Sequence, residues 1–116
     1  MTVICGTRTI AKNVKNADTF LSRFLGLMGR RSLEDGEGLL FLNCSAIHCF
    51  FMKIPIDAIY LSEDFTALGC ETLKPWALGG HYKSARHILE LGAGTASVSV
   101  GDKIEIEGLN LRRVKK

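Results

Sequence analysis

From Gly38 onward, turn residues cut the chain into short β-favouring apolar runs, and none of these runs is long enough for a helix to organise the fold. Gly38 to Leu42 reads as a buried strand. Ala46 to Met52 and Ile56 to Leu61 flank Lys53-Ile54-Pro55. The proline fixes φ and removes a donor, so these two runs are expected to be separate, paired strands. Thr66 to Leu73 follows the turn-like Ser62-Glu63-Asp64, and Ala85 to Leu91, Lys103 to Glu107 and Leu109 to Val114 complete the series. Near the N-terminus, Val3, Cys5, Ile10 and Val14 lie around Gly6-Thr7 and predict a hairpin. Only Asp18 to Met28 has a helical period: Asp18 caps, Phe20, Leu21, Phe24, Leu25 and Met28 form one stripe, and Gly29 stops it. The expected fold is α+β but mostly β, a small closed or half-closed antiparallel β-barrel-like domain with one main helix.

The length of 116 residues fits one domain, and 47% hydrophobic with 23% charged residues excludes a disordered chain. A formal charge of +3 is too weak a field to call for a nucleic-acid partner. The basic tail Arg112-Arg113-Val114-Lys115-Lys116 reads as a solubilising end. Met1 to Gly6 lacks the apolar length of a secretory segment. Gly38 to Leu61 is interrupted by Asn43, His48, Lys53, Pro55 and Asp57, which excludes a membrane helix there. The cysteines at 5, 44, 49 and 70 form no C-x-x-C pair, so reduced thiols and a cytoplasmic location are expected, in a monomer or weak homodimer.

Cys44, His48 and Met52 are soft-ligand types spaced by four. On a strand, however, Cys44 and His48 would lie roughly 13 Å apart, too far to share an ion, and core packing accounts for them better. No metal or cofactor is therefore assigned. His48 with Asp57 is the stronger pair, because a carboxylate that orients an imidazole serves either ligand binding or acid–base chemistry. The two meet only if Phe50 lies opposite Asp57 on a paired strand. Cys49 adjoins His48 but points to the opposite strand face, which excludes a thiol–imidazole pair. Arg23 and Arg30, seven apart on the expected helix, share a face and could take an anion or a carboxylate such as Glu90. Trp76, beside Pro75 in the long loop from Lys74 to Ser84, could wall a shallow pocket or cap the barrel end.

The string Arg23-Phe24-Leu25-Gly26-Leu27-Met28-Gly29-Arg30, then Leu33 and Gly38-Leu39-Leu40, resembles the opening of the domain of unknown function 192 family. Cys44, Ile47-His48, Met52, Pro55-Ile56-Asp57, Pro75-Trp76, Leu89-Glu90-Leu91, Gly94-Thr95 and Gly101-Asp102 continue the resemblance, which spans residues 17 to 106. It implies a compact β-rich domain with no agreed activity, often exported in other members. Cys49 stands where a Thr usually follows the His, which removes that hydroxyl from any site.

The resulting expectation is a non-catalytic accessory domain that binds a small molecule or a protein through His48, Asp57 and Trp76, with Arg23 and Arg30 as further contacts. The alternatives are a small acid–base enzyme using His48 with Asp57, and an interaction module presenting Phe50 and Phe51. Thiol titration of the unfolded protein is expected to count four free cysteines; a count of two would place the chain in an oxidising compartment.

Overall fold

The computed structural model describes residues 1–16, 36–44, 55–74, 79–80 and 82–109. The described residues form eight strands: β1 (Thr2–Cys5), β2 (Arg8–Ala11), β3 (Asn13–Asn16), β4 (Glu37–Phe41), β5 (Ile56–Leu61), β6 (Ala67–Leu73), β7 (His87–Gly92) and β8 (Ile104–Glu107). The N-terminal hairpin forms as expected, with Gly6 at φ 65° in its turn. β5 occupies the predicted Ile56 to Leu61, and the runs around β4, β6, β7 and β8 shift by only one or two residues at their ends.

The architecture departs from a barrel. The strands form two open sheets, a three-stranded one in the order β2-β1-β8 and a five-stranded one in the order β3-β4-β7-β5-β6. β2 and β8 are the outer strands of the first sheet, and β3 and β6 those of the second. The Thr66–Lys103 bridge and the bonds from Ala67 N–H to Asp102 and from Ile104 N–H to Phe65 link the β6 and β8 sides without merging the described strands into one closed ladder. Nor is the pairing wholly antiparallel, because β3 runs parallel to β4. A parallel pair needs a long crossover, and residues 17–35 supply it. The helix expected over Asp18 to Met28 falls in that connection and lies outside the described residues, as does the strand expected over Ala46 to Met52. No helix occurs among the described residues.

The five-stranded sheet is covered on both faces, which explains why β5 and β7 are buried along all their residues. One face packs Leu40, Leu42, Ile59, Leu61, Leu89 and Leu91 against Val3, Cys5 and Ile104 of the smaller sheet. The opposite face carries Phe41, Ile56, Ala58, Tyr60, Leu73 and Ile88, joined by half-buried Leu39, Leu68 and Tyr82. Gly38 permits this packing, since a Cβ there would come within 2.6 Å of both the Glu90 carbonyl oxygen and Leu91 Cδ2. Leu89 is fully buried at the centre of the sheet and Val100 is 74% exposed. Leu89→Ala is expected to cost roughly 2–5 kcal/mol and Val100→Ser less than about 0.5 kcal/mol, as read by urea denaturation.

Candidate functional site

Asp57 lies on the central strand β5, 4% exposed, with Thr72 of β6 on one side and Leu91 of β7 on the other. Both hydrogen-bonding edges of β5 are therefore occupied at this position. The register that would set Phe50 opposite Asp57, and so bring His48 to it, is not available. Asp57 instead binds the fold itself. Thr72 Oγ1 donates to its Oδ1 at 2.6 Å, and the amides of Gly94 and Ala96 donate to its Oδ2 at 2.9 and 3.1 Å. This carboxylate anchors the turn that follows β7, in which Thr95 N–H donates to the Gly92 carbonyl and Gly94 takes φ 82°. His48, Trp76, Arg23 and Arg30 lie outside the described residues. So do Met52, Phe50 and Phe51. Cys5 and Cys70 are free thiols, and no group of three or more metal-ligating side chains occurs among the described residues.

The structure draws attention to the other face of the same sheet. There the register aligns Glu71 of β6, Ala58 of β5, Glu90 of β7, Leu39 of β4 and Lys15 of β3 in one cross-strand row. Glu90 is only 3% exposed, and its carboxyl has no hydrogen bond or ion pair among the described residues. Burial pushes its pKa up to about 8. Ala58 beside it contributes a single methyl, which leaves no bulky side chain between Glu90 and Glu71.

Glu71, in contrast, is well partnered. Its Oε2 accepts the Tyr60 hydroxyl at 2.7 Å and the Gly80 amide at 2.6 Å. Burial first, and the bond to Glu71 second, hold the Tyr60 phenol far above its ordinary pKa, so it acts as a fixed donor. Tyr82 stacks on Tyr60 at 4.3 Å between ring centroids. Gly69 makes room for it, because a Cβ there would meet the Tyr82 ring at 2.3 Å. Tyr60, Glu71, Gly80 and Tyr82 thus form a rigid polar-aromatic corner next to Glu90.

An open groove of about 370 Å³ is lined by Ser62, Glu63, Asp64, Ser84 and Arg86. Its exposed Arg86 already donates to the Ala85 carbonyl. Behind it, buried His87 stacks on Phe65 at 4.7 Å and accepts the Asn43 amide at its Nδ1. Burial lowers the His87 pKa, partly opposed by the Glu63 backbone. This histidine is held as a neutral packing element.

Sequence reasoning assigned no role of their own to Glu90, Glu71, Tyr60 and Tyr82, although one signal was present. Glu90 interrupts the otherwise apolar run Ile88-Leu89-Glu90-Leu91, and an acid in a strand buried on both faces is costly.

A family model described as "Uncharacterized ACR, COG1430" matches residues 3–106. The chain belongs to the domain of unknown function 192 family. It is 35% identical to a UPF0127 protein of Pyrococcus abyssi over 79% of this chain and 84% of that one. It is also 34% identical to a UPF0127 protein of Pyrococcus furiosus over 84% and 90% of the respective chains. A crystal structure of a protein of unknown function from Novosphingobium aromaticivorans superposes with a TM-score of 0.75 at 24% identity, covering 90% of this chain and 84% of that one. That likeness extends to the fold alone.

Two outcomes follow from the two carboxyls. Asp57→Asn sets an amide donor among three donors, and is expected to cost roughly 2–4 kcal/mol and to speed hydrogen exchange at Gly94 and Ala96. Glu90 acts through pH. Its folded pKa of about 8 exceeds the ordinary 4.5, so below pH 4.5 the carboxyl is protonated in both states and folding carries no penalty. Stability then falls as pH rises through about 8, by roughly 5 kcal/mol in total. Urea denaturation between pH 5 and 9 is expected to show this fall in the native protein, and Glu90→Gln to flatten it.

Proposed function

We propose that this family member is a non-catalytic small-molecule-binding domain whose site is the Glu90 face of the five-stranded sheet. One observation carries the reading: a carboxyl 3% exposed and without a hydrogen-bond partner among the described residues. A buried carboxyl costs free energy unless it is paired, and a bound ligand supplies such a partner. The setting suits a ligand, with an apolar surround of Ala58, Leu39 and Ile88 and a fixed polar corner at Tyr60 and Glu71. His48, Trp76, Arg23 and Arg30 stay in the proposal as further contacts to be tested by alanine substitution.

The acid–base alternative has less support. It relies on His48 acting with Asp57, and Asp57 already uses both oxygens on Thr72, Gly94 and Ala96. The interaction-module alternative relies on Phe50 and Phe51, and no described residue bears on it.

Screening small polar fragments by amide and methyl NMR is the direct test. Saturable shifts are expected at Leu39, Ala58, Glu71 and Glu90. Glu90→Leu is expected to abolish those shifts while raising the melting temperature, because it removes the unpaired buried acid. Fragments that cluster only at Ser62, Asp64 and Arg86, or nowhere, would overturn the assignment.

A further inference from the structure

Alternation along β7 sends His87, with Leu89 and Leu91, to the face opposite Glu90, where the smaller sheet packs. Two neighbouring segments hold its ring there. The Asn43 amide, just past β4, donates to Nδ1 at 3.1 Å, which requires a neutral imidazole with its proton on Nε2. Phe65, in the turn between β5 and β6, stacks on the ring at 4.7 Å with the planes 13° from parallel. Asn43 and Phe65 are also the two non-glycine residues with positive φ among the described residues, at 55° and 64°. For a bulky aromatic that conformation is unfavourable and persists only where neighbours hold it. Phe65 in turn joins the two sheets. Its carbonyl accepts the Ile104 amide at 2.8 Å, beside the Thr66–Lys103 bridge and the bond from Ala67 N–H to the Asp102 carbonyl.

We propose that His87 is a pH-sensitive latch on this joint: while neutral it holds Asn43 and Phe65 in place, and a proton on Nδ1 releases both. Protonation sets an imidazolium N–H against the Asn43 N–H, so two donors face each other, and it places a charge at a buried position. The charged groups around the ring pull in both directions. Glu63, on the β5–β6 turn, favours the cation, and Arg86, next to His87 in the chain, opposes it. Asp64 on that turn is engaged by Lys103 at 3.2 Å and by the Ser62 and Thr66 hydroxyls. The end of β4 adds the Cys44 thiol beside Asn43, and β5 sets uncharged Leu61 opposite His87. Burial has the largest influence and lowers the His87 pKa from 6.5. The closed joint is therefore fully held above pH 6.5 and weakens as pH falls below it. Release relieves the strained Phe65 and loosens both the link to β8 and the turn that lines the groove of Ser62, Glu63 and Asp64. This device is independent of any ligand at Glu90.

The test uses the full chain and follows assigned NMR signals from about pH 7.5 down to about pH 5.5, a range that spans ordinary histidine titration. The His87 ring is expected to titrate with a midpoint below 6.5, and the Asn43 amide shift to move in step with it. Hydrogen exchange at Asn43 and Ile104, divided by the intrinsic rate at each pH, is expected to rise several-fold over this range. The Asn13 amide, bonded to the Gly36 carbonyl at the far end of β4, is expected to hold steady. His87→Gln keeps a neutral acceptor and is expected to remove the pH dependence at both amides. A His87 midpoint at or above 6.5, or unchanged exchange at Asn43 and Ile104, would overturn the latch. A pH dependence that persists in His87→Gln belongs to another group and overturns it as well. An equal rise at Asn13 reports global unfolding and overturns a local joint. The titration of the native protein keeps the test decisive if His87→Gln fails to fold.

Discussion

The antiparallel pairing of β5 with β7 is the constraint on which the structure depends. These two six-residue strands run from Ile56 opposite Gly92 to Leu61 opposite His87, and each is buried at every position. Because both faces are covered, side chains alternate between two cores rather than between core and water. Everything else is placed by that pair: β4 adds outside β7, β6 adds outside β5, and the small N-terminal sheet closes over one face. A residue on either strand has no polar side to turn to. Its chemistry must be satisfied inside the fold or by something brought in from outside.

Asp57 and Glu90 show the two ways of meeting that demand. They lie on adjacent strands, and the alternation of side chains sends them to opposite faces. Asp57 gathers three donors and becomes part of the frame, tying β6 and the turn after β7 to β5. Glu90 meets Ala58 on one side and Leu39 on the other, neither of which offers a side-chain donor. Two acids of similar chemistry, a few ångströms apart in the sheet, therefore have opposite effects on the folded state. The one that strengthens the frame is a poor ligand group, and the one that weakens it is the better candidate.

Much of the strand pattern was legible from local chemistry. Pro55 marks the start of β5, Gly6 turns the first hairpin, and Ser62-Glu63-Asp64 separates β5 from β6. These are short-range effects of φ restriction and turn hydrogen bonding. Strand order was not legible in the same way. Sequence proximity suggested that the run before Pro55 pairs with the run after it, whereas β5 takes its two neighbours from residues further along the chain, β6 and β7. The barrel expectation failed for a related reason. Alternation and turn spacing are alike in a barrel and in two packed sheets, and only the long-range strand order, which sets the described strands in two sheets, distinguishes them.

The sequence by itself determined that this chain is mostly β, where most of its strands begin and end, and the family to which it belongs, because those properties depend on local residue types and their order. Tertiary structure alone decided the parallel placement of β3 beside β4, the internal role of Asp57, and the row that brings Glu71, Ala58 and Glu90 together. Residues 58, 71 and 90 become neighbours only through long-range strand pairing, and a one-residue change of register would send each side chain to the other face. Register is set by how both cores fill at once. No local stretch of the chain encodes it.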